Sequence, residues 1–518
     1  MVDYKVLITT SGVGSRLGEL TKFTNKSLIR VGKKPAISYI VEKYPPDIEI
    51  VITLGYFGDQ VKDFLTLAYP EKKFNFIYID NFDKDGSSLA YSMMQSSSEL
   101  QCPFIFHASD TIIQKSEIPR PEKNWVSYSI IDNYTNYRIL DKNAFKIHDK
   151  GHIGLNTAYI GLAGIYDYEF FWKSLQKIIE QDPNNKNLSD CDSINTMIDK
   201  SWSLYQFDDW IDIGNSSELK SARQKIFDKF DILDKVDESI FLFDKFVIKF
   251  FYDKKICKNR VERCKILTGL SPKLIAYTDN FYKYEFIDGD NLSEILNENI
   301  FVNFLNWSEK NLWKQNENFD DFYKICDDFY FKKTQIRLNK FFEDNNLSDT
   351  NTKINGFDVP PISELFDKID KNWICKTVPF QFHGDFILEN IIYNKNKFIL
   401  LDWRQDFGGD IKNGDLYYDL SKLNHNLLLN HKVVYQKLFE VKEDNNGIHC
   451  DILRSDIMTN CREIFHDWIK NKKLDFNKVQ LITSLIWLNM SPLHDSEIGK
   501  FLFYFGKLNL YKCLKNKL

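Results

Sequence analysis

Ser11-Gly12-Val13-Gly14-Ser15-Arg16-Leu17-Gly18 follows the apolar run Tyr4–Thr10 and precedes Thr24-Asn25-Lys26-Ser27-Leu28 and Lys34-Pro35. Glycines after a first strand let backbone N–H groups come close to a phosphate. Arg16 and Lys26 add the positive charge that a triphosphate and its departing pyrophosphate require. A dinucleotide-binding turn is the competing reading, but the third glycine, Gly18, comes one residue late for it. Working outward, Ile48–Thr53, Phe74–Ile79 and Phe104–His107 repeat the short apolar run, with helix-like stretches Ile37–Tyr44 and Gln60–Leu67 between them. Strands alternating with helices predict an α/β fold with a mostly parallel sheet, in which ligands bind beyond the carboxyl ends of the strands.

Two acidic positions strengthen the glycine turn. Phe104–Asp110 is an apolar strand ending in a carboxylate, and Trp210-Ile211-Asp212-Ile213-Gly214 sets a second carboxylate between apolar residues. One aspartate at a strand end is usually a turn or cap residue. Converging behind a loop that carries Arg16 and Lys26, Asp110 and Asp212 are what Mg²⁺ needs when it also takes phosphate oxygens as ligands.

This half resembles the sugar-phosphate nucleotidyltransferases and phosphocholine cytidylyltransferases, over roughly residues 4–225. Their G-x-G-[ST]-R…P-K signature is similar at Gly12, Gly14, Ser15, Arg16 and Lys26, with Asn25 where the family has proline. The resemblance implies a Rossmann-like domain, with Asp110 and Asp212 as metal ligands and Glu218, Leu219 and Ala222 on the following helix. It also implies that Gly86-Ser87-Ser88 approach the nucleobase and that Gly161–Tyr166 form a strand near the acceptor. Arg16 would hold the pyrophosphate, and Lys26 the α-phosphate or the acceptor phosphate.

A second constellation is His383-Gly384-Asp385-Phe386-Ile387-Leu388-Glu389-Asn390, followed by the strand-like Phe398–Leu401 and then Asp402-Trp403. Asp385 suits orienting and deprotonating a hydroxyl, and Asn390 and Asp402 suit Mg²⁺ on ATP phosphates. His383 reads as a loop brace. Upstream, Ile240–Phe243 and Phe246–Phe251 read as a hairpin around Asp244-Lys245. Lys249 on it could reach ATP phosphates, with Glu262 on the helix Asn259–Leu267 as its partner and Glu285 in an adenine-contacting hinge, Tyr284–Gly289. In isolation Lys249 would be an ordinary solvated lysine. Residues 236–518 resemble the choline kinase and aminoglycoside phosphotransferase family, which implies a protein-kinase-like bilobal fold. The match lies at His383, Asp385, Asn390 and Asp402, and in Gly414–Leu420 against a G-D-x-x-x-D-L pattern. No glycine-rich loop stands in Asp237–Lys249, and Asp406-Phe407-Gly408 reads as a loop after the metal ligand Asp402.

The 518 residues are too many for one ordinary core. The expected domains are 1–230 and 231–518, the latter with a small lobe at 236–290 and a mostly helical lobe at 291–518, broken by Phe398–Trp403. Hydrophobic content of 43% and charged content of 27% exclude a disordered chain. A net charge of −5, with the two signs interleaved, gives no basic surface for nucleic acid. Nine cysteines without a C-x-x-C pair read as reduced thiols, not a disulfide framework or zinc site. No signal-peptide layout and no stretch of 18 uncharged apolar residues appears, so cytoplasmic location without membrane insertion is expected.

A kinase makes a phosphomonoester and a nucleotidyltransferase consumes one. The two resemblances together imply phosphorylation of a small alcohol (choline-like, ethanolamine or a polyol) with ATP. Coupling to an NTP, CTP favoured, would follow, with Mg²⁺ at both sites, to supply surface polysaccharide or lipid assembly. Trp403, Tyr417, Tyr418, Trp468, Trp487 and Tyr504 could box a quaternary ammonium, although a helical core explains such aromatics more often. The alternatives are a sugar kinase with an NDP-sugar pyrophosphorylase, a non-catalytic kinase-like module, or a glycosyltransferase in the first half. Association into an oligomer stays open.

Overall fold

The apolar run before the glycine turn forms the strand Lys5–Thr9, buried from Val6 onward. In this computed structural model, which describes residues 3–132, 136–226, 235–317, 319 and 321–515, that strand is the pivot of a nine-stranded sheet. Glu49–Leu54 lies parallel to it on one side, with Lys73–Tyr78 beyond, and Phe104–Ala108 lies parallel on the other. The chain builds outward in one direction and then returns to the opposite side of Lys5–Thr9. Such a reversal leaves a crevice at the carboxyl ends of the two strands that flank it. Those ends carry the glycine turn and Asp110. Thr157–Ile165 continues the sheet antiparallel to Phe104–Ala108.

Side chains alternate between the two faces of these strands. Val6, Ile8, Ile50, Ile52 and Ile105 face the helices Ala36–Val41 and Gly58–Ala68. Leu7, Val51, Phe104 and Phe106 face the helices Leu89–Met94 and Tyr168–Gln181. The strands stand within a residue of the expected bounds, and the helix expected over Ile37–Tyr44 ends early, at Val41. The helix that carries Glu218, Leu219 and Ala222 is Ser216–Lys225, and the expected domain border at 230/231 lies outside the described residues.

The chain falls into two compact units, Met1–Cys257 with Ile275–Phe286, and Lys258–Leu274 with Ile287–Leu518. The sheet anticipated as the small lobe of the second half thus packs within the first unit. Its hairpin, Glu238–Leu242 with Phe246–Phe251, is flanked by Phe281–Glu285. Phe241, Phe243, Ile248, Phe250 and Phe281 share one core with Phe64, Leu65 and Leu67 of the helix Gly58–Ala68. The buried Lys283 ammonium donates to the Leu67 carbonyl at 2.8 Å, and the Leu242 N–H donates to the Lys33 carbonyl. Apolar residues that a free-standing lobe would turn to solvent are the reason: this sheet has Phe on both faces.

In the second unit the helices Leu416–Asn426, Phe476–Met490 and Ser496–Lys515 carry the core. The hairpin Ile391–Asn394 with Lys397–Leu400 interrupts the helices as expected. A four-stranded sheet of Thr352–Ile354, Phe357–Val359, Phe439–Asp444 and Gly447–Ile452 was not anticipated in this helical lobe. Asn355 and Gly356 turn its first hairpin with positive φ at both residues, the geometry that favours an Asn-Gly pair. Among the described residues no helix is long and apolar enough to cross a membrane.

Candidate active sites

The first site grows from a two-stranded ladder. Thr111–Ile113 pairs antiparallel with Trp210–Asp212, so that Asp212 sits opposite Thr111, and the Ile213 N–H donates to the Asp110 carbonyl at 3.1 Å. Asp110 precedes one strand and Asp212 ends its antiparallel partner, which sets the two carboxylates side by side. A Cβ on Gly214 would stand 3.1 Å from Asp212 Oδ1 and 3.6 Å from Asp110 Oδ2. Burial first, and then the Asp110 charge, push the Asp212 carboxyl up to about 6. At Asp110 burial pushes upward too, but Lys26 and Arg16 outweigh it and hold the carboxyl low.

Lys26 reaches Asp110 Oδ2 with its ammonium at 3.2 Å. Asn25, fully buried, fixes the turn that presents it. Its amide donates to the Thr10 and Tyr56 carbonyls, and its Oδ1 accepts from the Ser27 N–H and hydroxyl. Hydrogen bonds thus provide the rigidity that proline would give through its ring. Gly14 has φ 72°, and a Cβ there would meet the Lys26 Cβ at 2.9 Å, so the turn and the lysine loop touch at a position only glycine fills. Gly12 and Ser15 lie on the same turn, and Arg16, exposed on it, reaches the two aspartates electrostatically.

Gly86 and Ser87 lead into Ser88, which caps the helix Leu89–Met94 through the Tyr91 N–H. On that helix Ser92 accepts from the Ser11 hydroxyl at 3.0 Å, which joins the segment to the edge of the glycine turn. Gly161 and Gly164 lie in the strand Thr157–Ile165, and a Cβ at Gly161 would press the Ala108 Cβ at 2.8 Å. Two residues were missed in the sequence. Burial and the Asp212 and Glu218 carboxylates raise the Tyr137 phenol, and the Lys150 ammonium is lowered by burial and by Arg16 while Asp110 and Asp212 pull it up. Both lie in polar stretches without strand or helix periodicity, so no pattern marks them.

The second site is a loop clamped from several sides. Asp419 accepts from the N–H groups of His383 and Gly384 at 2.7 Å each and from Trp313 Nε1 at 3.2 Å. Asp415 caps the helix Leu416–Asn426 and accepts from Tyr330 and Thr377. The G-D-x-x-x-D-L aspartates are therefore structural anchors. The buried Arg263 guanidinium donates to the carbonyls of Phe382, Arg404 and Ile411. His383 is fully buried, with Nε2 on the Leu401 carbonyl and Nδ1 accepting from the Asp385 N–H. Burial lowers it to about 4, so its ring is neutral and braces the loop.

Asn390 donates from its amide to the Asp385 backbone and carboxylate oxygens at 2.9 and 3.2 Å. The Leu401 N–H donates to the Asn390 carbonyl, and the Arg404 N–H to the His383 carbonyl. Asp402, between them, is thereby laid along the loop, with φ 54°, a left-handed conformation that aspartate adopts at a cost. Lys422 bridges to Asp385 Oδ1 at 2.7 Å. Burial raises the Asp385 carboxyl, but Lys422, and then His383 and Arg404, overcome that and hold it far below the usual range.

Lys249 is buried between Ile240 and Tyr282 in the first unit, on the sheet face opposite Ile248 and Phe250. Glu285 is exposed at the end of its strand, beside Phe246. Glu262, expected as the partner of Lys249, pairs with Lys265 at 2.7 Å on an exposed helix face, three residues on along its own helix. Four of the six aromatics suggested as a box have partners of their own. Trp403 donates to the Arg260 carbonyl, Tyr418 packs on Phe329, Trp487 donates to His425, and Trp468 lies against Trp313.

Among the described residues no three His, Cys, Asp or Glu side chains gather to hold a metal by themselves. The donor sets are oxygen only: Asp110 with Asp212, and Asn390 with Asp402. Such incomplete oxygen sets fit Mg²⁺, which keeps several waters and takes phosphate oxygens. The repulsion recorded at Asp212 is what a divalent cation relieves.

No known protein-family profile matches the sequence, and no curated protein does. Among solved structures, a Bacillus anthracis protein assigned as a glucose-1-phosphate thymidylyltransferase aligns over 45% of this chain and 98% of its own, with 21% identity and a TM-score of 0.38. The CTP:phosphocholine cytidylyltransferase of Streptococcus pneumoniae aligns over 44% of this chain and all of its own, with 18% identity and a TM-score of 0.36. The inositol-1-phosphate CTP transferase of T. maritima covers 45% of this chain and 98% of its own, with 15% identity and a TM-score of 0.34.

Proposed function

We propose that the chain is a bifunctional enzyme that phosphorylates a small alcohol with ATP and then couples the phosphomonoester to an NTP, releasing pyrophosphate. The observation that carries the second step is the paired carboxylates of Asp110 and Asp212 flanking Gly214, with Lys26 on one of them and Arg16 above the glycine turn. A phosphomonoester oxygen attacks the α-phosphorus, the bond to the bridging oxygen breaks, and pyrophosphate leaves with the electron pair. Bound Mg²⁺ would supply charge neutralisation between the two anions. Lys26 orients the α-phosphate or acceptor phosphate, and Arg16 steadies the pyrophosphate.

The first step uses the clamped loop. Asp385 orients the alcohol and receives its proton as the oxygen attacks the γ-phosphorus, and ADP departs. Asn390 and Asp402 would hold Mg²⁺ on the phosphates. The resemblances favour CTP as the second nucleotide, a cytoplasmic site of action, and delivery of the product to surface polysaccharide or lipid assembly. The test is mass analysis of products from alcohols given ATP, followed by each NTP. Absence of pyrophosphate release with every phosphomonoester and NTP would sink the nucleotidyltransferase step. Release of free sugar or glycoside from an NDP-sugar would replace it with glycosyl transfer.

A further inference from the structure

Two basic side chains, Lys422 and Arg404, act on Asp385, and two more, Lys333 and Arg337, adjoin Arg404. Lys422, 8% exposed, is bonded to Asp385 at 2.7 Å. The Lys333 ammonium lies 4.4 Å from the centre of the Phe329 ring, and the Arg404 guanidinium 5.2 Å from the same centre. Arg337, one turn beyond Lys333 on the helix Lys333–Asn345, donates to the backbone and side-chain oxygens of Asn489. Their charges act on one another: Lys333 is lowered to about 6 by burial and then by Arg404 and Arg337, with Lys422 adding to the effect and Asp406 opposing it.

Among the described residues, only Lys422 of the four is ion-paired with a carboxylate. The nearest candidate, Asp406, turns its Oδ1 to the Gly409 N–H and gives Arg404 only a backbone oxygen. Arg404 and Arg337 are half-buried without a carboxylate partner, and Lys333 is kept short of charge beside them; an anion joining the group would offset all three. A quaternary ammonium would add to the repulsion.

We propose that Lys333, Arg337, Arg404 and Lys422 receive an acidic group of the acceptor, so that the alcohol phosphorylated at Asp385 already carries a carboxylate or a phosphate. This rests on the kinase step proposed above. It places the anion on the acceptor because Lys422 and Arg404, which link the basic group to Asp385, act on the carboxylate that faces the alcohol.

The full-length protein with Mg²⁺ and ATP is offered choline, glycerol, D-glycerate and glycerol 3-phosphate in turn, with the phosphorylated products read by mass and ³¹P spectra. At least one anion is expected to exceed glycerol in kcat/KM by about tenfold or more, with choline the poorest. Comparing D-glycerate with glycerol 3-phosphate tells carboxylate from phosphate. Lys333→Met and Arg337→Gln should each cut the anion-to-glycerol ratio about tenfold, and a ratio does not depend on how much protein is folded. Choline or glycerol matching the anions, or a ratio that survives both substitutions, overturns the inference while leaving the kinase step standing. Absence of both phosphoryl transfer and ATP hydrolysis with all four alcohols fails the kinase step itself, and the inference with it.

Discussion

The two candidate sites treat a carboxylate in opposite ways. At the first, Asp110 and Asp212 are pressed together, and although Lys26, Arg16 and Lys150 lie within electrostatic reach, Asp212 is left with its charge resisted. At the second, Asp385 is bonded to Lys422 and further held by Arg404, with Lys333 and Arg337 adjoining Arg404. The first arrangement lacks positive charge and the second lacks negative charge. Each shortage describes its missing ligand: a divalent cation with a triphosphate in one place, an acidic substrate in the other.

The sharpest way to break this contrast is to remove one carboxylate at a time. Asp110→Ala should lower pyrophosphate release at least about 10³-fold while leaving phosphorylation of an alcohol intact. Asp385→Asn should do the reverse, and loss of both steps from either change in a folded protein would end the two-site account. Next in size, Lys422→Met removes the buried counter-ion of Asp385. It should lower phosphoryl transfer about 10²-fold, measured as ADP formation, with nucleotidyl transfer as the internal control. Asn25→Ala would strand the Thr10 and Tyr56 carbonyls and the Ser27 N–H. A loss of about 2–3 kcal/mol in urea unfolding is expected, with Lys26 less well presented. The smallest change is expected at Glu262→Gln, within about 0.5 kcal/mol, since its pair with Lys265 is exposed. A fall in phosphoryl transfer beyond tenfold there would restore Glu262 to a nucleotide-binding role.

What could be read from the chain was whatever its local pattern enforces. Short apolar runs made strands, and a carboxylate close to the end of such a run emerges where the strand ends, which is why Asp110, Asp212 and Asp402 were visible. Partner choice was not. Lys422 looks like any lysine of an amphipathic helix until the fold turns it onto Asp385. Tyr137 and Lys150 sit in polar stretches whose path depends on distant strands. Glu262 pairs with a cation of its own helix, a neighbour that the order of the motifs does not bring to notice. The Asn355-Gly356 turn, by contrast, was legible, and its hairpin was overlooked within a stretch dominated by helical periodicity.

The core joining the helix Gly58–Ala68 to Phe241, Phe243, Ile248, Phe250 and Phe281 has a practical side. Burying five such side chains contributes about 8–15 kcal/mol, as much as the whole margin by which an ordinary domain stays folded. A gene truncated near codon 235 would thus yield a polypeptide with a sticky, water-exposed sheet, and one stopped near codon 226 would yield a partner with an uncovered helix. Recombination that swaps either portion for a cousin's would have to carry both sides of that seam together.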